Sequence, residues 1–203
     1  MYRELKELLI NPDTFFEEKT KEKIDLLLPA IIVLIGSMVG LIASFVVSGF
    51  LNTVELRHIS VILTPENFLL ILLRPFVAWF LLSGLLYGFS RVWSGTGTFI
   101  ETLQNTGYGA LPLTILTVLP IINAIFINSN VNIPQIVGLG IVVILDLLTI
   151  LFILWSGYLW TYAMEWTHEL DHDKAIASAA IVVLLFLAYH VITVLGIVNL
   201  LPS

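Results

Sequence analysis

The sequence predicts an all-α polytopic membrane protein: a five-transmembrane-helix bundle preceded by an N-terminal amphipathic segment at the membrane interface. Three observations lead there. Residues 26–50, 67–89, 107–127, 136–160 and 175–201 are apolar runs, each matching the length of about 20 residues that carries a helix across the hydrocarbon core. Charge nearly vanishes inside them, leaving Arg74 in the second and Asp146 in the fourth, with His190 as the one histidine of the fifth. Hydrophobic residues make up 58% of the chain and charged residues 12%, against roughly 45–50% and about 25% in soluble domains.

Composition also excludes function classes. The chain has no cysteine, which removes disulfides, thiolate metal sites and cysteine nucleophiles. Its net charge of −6 gives no support to nucleic-acid binding. A cleavable signal peptide is not expected, since the first apolar run starts at residue 26 behind a charged segment and exceeds a signal core in length. Two parts are expected: residues 1–25 as a cytoplasmic or interfacial segment, and residues 26–203 as one membrane domain. Orientation follows from the basic residues. With the N-terminus inside, Arg3, Lys6, Lys19, Lys21, Lys23, Arg91 and Lys174 fall on the cytoplasmic side and only Arg57 and Arg74 toward the outer half. The reverse orientation leaves two inside. A multi-pass cell-membrane protein with its N-terminus in and its C-terminus out is therefore expected.

Along the chain, Tyr2, Leu5, Leu8 and Leu9 share one helical face with charges around them, the pattern of a helix lying among headgroups. Asn11-Pro12 reads as a cap and first helical position, with Phe15-Phe16 as anchors for the second short helix. The outer loop 51–63 ends in Thr64-Pro65-Glu66, which starts the second span. Arg74-Pro75 inside that span predicts a kink, because proline removes an amide hydrogen and crowds the preceding turn. Trp93-Ser94-Gly95-Thr96-Gly97 reads as a flexible connection. Thr98 to Glu101 has the spacing of a capping box. Helix resumes through Gly107-Tyr108-Gly109-Ala110-Leu111-Pro112, where glycines permit close approach and proline loosens the ladder. Residues 128–134 form a short outer turn. Trp155, Trp160 and Trp166 gather near the inner end of the fourth span, as an interfacial aromatic belt would.

Three segments together resemble the Yip domain family, the Ypt/Rab-GTPase-interacting membrane proteins and their prokaryotic relatives. Asn11-Pro12-Asp13-Thr14-Phe15-Phe16 resembles the proline–phenylalanine entry before that family's first span. Gly95, Gly97 and Phe99, through Thr102-Leu103 to Gly107, Tyr108 and Pro112, resemble its most recognisable stretch. His168-Glu169-Leu170-Asp171-His172-Asp173-Lys174-Ala175 is similar to its fourth–fifth connection. The resemblance implies a five-helix bundle with a cytosolic N-terminus. In eukaryotic members it also implies vesicle traffic, GTPase binding and pairing with related membrane proteins. The chain has no acidic Leu-Tyr-Gly-Pro motif and no long N-terminal region, so it looks like a short prokaryotic-type member.

The remaining polar residues frame the competing functions. His168-Glu169-Leu170-Asp171-His172 is, letter for letter, the H-E-x-x-H signature, in which two histidines on one helix hold Zn²⁺ and the glutamate activates its water. A catalytic zinc needs a third protein ligand, which no second motif announces, and a solvated turn between spans explains the same residues. No cofactor is expected, with zinc at His168 and His172 as the exception to test. Arg74, roughly 10 Å deep, and Asp146, roughly 15 Å deep by helical rise, are expected to form a buried ion pair; the alternatives are Arg74 snorkelling outward while Asp146 stays protonated, and a transport site with His190. His190 is expected to hydrogen-bond a neighbouring helix. Gly95-x-Gly97 lacks the rest of a nucleotide fingerprint. The leading expectation is a non-enzymatic scaffold or adaptor that contacts the lipid bilayer and a membrane-protein partner or a second copy. It would recruit that partner through the N-terminal segment and the 93–101 connection. A small solute, ion or lipid transporter and a zinc-dependent membrane hydrolase are the other two readings.

Orientation is directly testable because the chain has no cysteine of its own. Single cysteines at Lys21 and Asp173 should stay unlabelled by a membrane-impermeant maleimide in intact cells and react after permeabilisation. Ready labelling of both in intact cells reverses the orientation.

Overall fold

A computed structural model describes residues 2–51, 65–122 and 135–198. The expected cap at Thr64, the outer loop and the 128–134 turn lie outside the described residues. All described secondary structure is helical: α1 (Tyr2–Ile10), α2 (Pro12–Lys21), α3 (Leu27–Leu51), α4 (Pro65–Val92), α5 (Phe99–Gly109), α6 (Leu111–Leu116), α7 (Gln135–His168) and α8 (His172–Val198). Four of them, α3, α4, α7 and α8, are each long and apolar enough to cross a bilayer. A fifth crossing exists if the pair Phe99–Gly109 and Leu111–Ile122, bent by 43° at Ala110, is one broken span. The chain is thus an all-α, multi-pass membrane bundle.

The third crossing departs most from expectation. Its helix begins at Phe99, eight residues before the apolar run, and breaks at Ala110, in the stretch where proline was expected to loosen the ladder. Residues 102–109 are all buried, including Thr102, Gln104, Asn105 and Thr106. The element that sequence marks as a polar approach to a span is the centre of the bundle. α3, α4 and α7 pack around α5, α8 lies against α7 and α4, and α6 continues the broken element between α3 and α7. Gly109 lets Trp160 of α7 pack close on α5: a Cβ there would come within 2.3 Å of the Trp160 ring. Gly107 does the same toward Pro29 and Trp79.

The N-terminal helices are docked as well as amphipathic. Leu8, Phe15 and Phe16 are buried in the same cluster as Tyr108, Leu159, Trp160 and Met164. Phe15 meets Phe16 and Tyr108 edge-on at 5.2 and 5.1 Å between ring centres. Trp166 donates from Nε1 to Asp13 at 2.7 Å and ties α2 to α7. Proline opens α2 as expected, although the Asn11 side chain makes no capping bond.

α4 runs through Pro75 as one helix. One other expectation needs correction. Trp160 is no belt residue: it is fully buried and donates its indole N–H to the Thr106 carbonyl at 3.2 Å. Burial of a tryptophan requires such a partner for its N–H.

Candidate functional site

The motif residues of the α4–α5 connection and of the H-E-x-x-H stretch meet at the bundle end that carries α1, α2 and the α7–α8 turn. Two helix stops build it. α4 ends with Ser94 in the left-handed region (φ 65°), Gly95 N–H bonded to the Ser90 carbonyl and Ser94 N–H to that of Arg91. α7 ends likewise at Glu169 (φ 52°), with Leu170 N–H bonded to the Glu165 carbonyl. These are Schellman-type closures, which satisfy carbonyls left open at a helix end. Glycine is the easy residue at such a φ; here serine and glutamate occupy it.

The connection between α4 and α5 is an ordered strap rather than a flexible loop. Thr96 N–H bonds the His168 carbonyl at 3.1 Å, and the Arg91 guanidinium holds the Gly95 carbonyl at 2.6 Å. The strap lies so close to the end of α7 that a Cβ at Gly97 would sit 2.2 Å from the Thr167 carbonyl oxygen. That oxygen is backbone and has no rotamer to yield. Gly95 faces the His168 side chain in the same way. The strap leads into the expected capping box, with Glu101 N–H to Thr98 Oγ1 and Thr98 N–H to the Glu101 carboxylate at 2.7 Å. Phe99 then packs between Phe80 and Tyr87, and Pro112 is buried in the first turn of α6.

Beneath the strap lies a polar cluster that sequence reasoning missed. Thr102 Oγ1 is 2.8 Å from His168 Nε2, Asn105 donates to Thr167 Oγ1 at 2.7 Å, and the Ser83 and Thr106 hydroxyls share a bond. Trp79 donates to the Leu103 carbonyl at 2.9 Å, while Gln104 accepts the Asp25 amide at 2.6 Å. Because Thr102 also bonds the Thr98 carbonyl, its one hydroxyl proton is spent there. Nε2 of His168 therefore carries the imidazole proton and donates to Thr102. Nδ1 is left as a sealed lone pair, and with Asn105 Oδ1 and Ser156 Oγ it has no hydrogen-bond partner among the described residues. The available signal was a run of four polar residues, Thr102 and Gln104 to Thr106, beside membrane-length apolar segments.

This geometry corrects the solvated-turn reading of the H-E-x-x-H stretch. α7 extends eight residues past Trp160, and His168 at its end is fully buried. The stop at Glu169 places His172 on the next helix, exposed, with Nδ1 2.6 Å from the Glu165 carboxylate. The two histidines do not share one helical face. Among the described residues no three His, Cys, Asp or Glu side chains are grouped to hold a metal.

The mid-span ionisable residues are also arranged otherwise than expected. Arg74 bonds the Tyr189 hydroxyl at 3.1 Å, and Asp146 lies 3.8 Å from His190. They do not form an ion pair with each other. Tyr189 and His190 are consecutive on α8, about 100° apart around the axis, and each faces a different neighbour. His190 does reach a neighbouring helix, as expected of it.

Comparison with known proteins places the whole arrangement. A model of the Yip1 domain matches residues 6–193. The chain belongs to the Yip1 domain family. It is 31% identical, over 109 residues, to an uncharacterized protein of Methanocaldococcus jannaschii; the match takes in 52% of this chain and 77% of that one. A short prokaryotic-type Yip1 member fits this likeness to an archaeal protein. No solved structure matches. Gly95, Gly97 and Gly107 are among the glycines where this Yip1 bundle packs backbone closely against neighbouring elements.

The Thr102–His168 contact sets a stability test. Thr102→Val removes the acceptor of the imidazole N–H and leaves both ring nitrogens unmatched, at a cost of about 1–3 kcal/mol for an orphaned buried group. Adding His168→Leu should return part of that loss in a thermal melt of the detergent-solubilised protein. Strictly additive losses would show that the two side chains are not coupled.

Proposed function

We propose that this Yip1 member is a non-enzymatic membrane scaffold: its spans bind a second membrane protein or a second copy, and its cytoplasmic end recruits a partner. The outward placement of the span charges carries the reading. Arg74 is exposed on α4 about two turns into the span, and its hydrogen-bond partner among the described residues is a neutral hydroxyl on a side chain that is itself exposed. The Asp146 side chain is 39% exposed, with only the longer approach of His190 among the described residues. A charge that faces lipid costs about 2.5–3.5 kcal/mol or more at the centre of a span, the depth of Asp146, and less nearer its end, where Arg74 lies. A partner helix that brings an opposite charge or polar group relieves that cost. Transport through Arg74, Asp146 and His190 would require them on one pathway, whereas Arg74 and Asp146 engage α8 at different residues. At the other end, Val92, Trp93 and Ile100 flank the strap as exposed apolar side chains, a rigid platform suited to a cytoplasmic partner.

Photo-crosslinking residues at Val77 and Leu147, exposed neighbours of the two charges, should give a discrete protein adduct in native membranes. Ile42, exposed on α3, serves as the control and should give lipid adducts alone. Arg74→Leu and Asp146→Asn should each weaken the protein adduct. Lipid adducts alone at all three positions, together with solute uptake by reconstituted liposomes that is lost in Asp146→Asn, would replace the scaffold with the carrier.

A further inference from the structure

A chamber of about 550 Å³ opens where the N-terminal helices meet the foot of α3. Its wall is apolar: Leu27, Leu28 and Ile31 are the first turns of the first span, and Leu27 is 67% exposed. Its rim is charged. Lys19 is held by Glu22 at 2.7 Å and by Glu4 at 3.1 Å. Burial works against the Lys19 ammonium, yet these two carboxylates outweigh it and keep its pKa above the usual lysine value. Lys23 and Asp25 complete the rim, and among the described residues neither makes an ion pair.

The floor is Tyr108. Only 2% of this residue is exposed, yet it lines the chamber, and its hydroxyl makes no hydrogen bond among the described residues. The charges that act on that phenol are Lys19, Glu4, Asp25 and Glu22, the rim itself. A buried phenol normally finds a partner, and this one faces the cavity. The hydroxyl can donate, Lys23 can donate, and the carboxylates of Glu22 and Asp25 can accept. The lining thus offers donors to a phosphate and acceptors to an amine, and a headgroup that carries both uses each set.

We propose that this chamber binds a phospholipid whose headgroup bears a primary amine. The phosphate accepts from Tyr108 Oη and Lys23 Nζ, the ammonium sits against Glu22 and Asp25, and one chain runs up Leu27, Leu28 and Ile31. Free phosphoethanolamine shares the polar chemistry but has nothing to place on that wall.

The test is native mass spectrometry of the full chain released from detergent with equimolar phosphatidylethanolamine, phosphatidylcholine and phosphatidylglycerol. Phosphatidylethanolamine should be retained several-fold over the other two. Tyr108→Phe and Lys23→Gln should each cut that retention by about tenfold, the loss of one charge-assisted hydrogen bond. Tyr108→Phe keeps the ring and Lys23 is exposed, so both variants should melt like the parent. Equal retention of the three lipids, or unchanged retention in both variants, overturns the proposal. Free phosphoethanolamine that competes as well as the lipid overturns the lipid assignment and leaves a soluble headgroup as the ligand.

Discussion

In a bilayer, apolar side chains gain little by leaving lipid for protein, so helices associate through close packing and interhelical hydrogen bonds. α5 supplies both at the centre of this bundle. It is too polar to sit against lipid and would be unsupported in water, yet its side chains and carbonyls find partners on three neighbouring elements. Gln104 holds the entry to α3, Thr106 and the Leu103 carbonyl hold α4, and Asn105, Thr102 and the Thr106 carbonyl hold α7. Each such bond is worth about 0.6 kcal/mol on average and rarely above about 1.7. Their value lies in direction, since a bundle joined only by leucine contacts has many near-equal registers.

The docking of α1 and α2 and the strap follow from the same centre. Tyr108, from α5, is the edge-on partner of Phe15, and Thr102 reaches His168 at the spot the strap covers. The amphipathic N-terminus therefore does more than rest at an interface. It closes the end of the bundle and, with the foot of α3, encloses the chamber floored by Tyr108. The strap glycines have the complementary role of letting backbone touch backbone.

Much of this was legible in the sequence, for identifiable reasons. α3, α4, α7 and α8 announce themselves because membrane spans must be long, apolar and nearly uncharged, and the Thr98–Glu101 box is a local pattern that folds as written. α5 was hidden because its polar residues look like a connection until their partners on three other helices are in place. The end of α7 was hidden for the same reason: His168 read as part of a solvated turn, yet Thr167 and His168 are buried against α5 and the strap. The H-E-x-x-H letters mislead because their meaning assumes a continuous helix, and a left-handed Glu169 ends it. Arg74 and Asp146 were expected to pair because sequence gives depth along a span but not the direction each helix faces.

The central claim is that tight closure of neighbouring helices on α5 specifies the fold, and one comparison tests it most directly. Gly109→Ala puts a methyl group into the Trp160 ring, whereas Gly40→Ala, in α3, meets nothing within 4 Å. The account predicts that thermal melting of the solubilised protein falls for Gly109→Ala by the equivalent of about 1–3 kcal/mol of overpacking. Gly40→Ala should stay within about 1 kcal/mol of the parent. Equal melting of the two variants would contradict it.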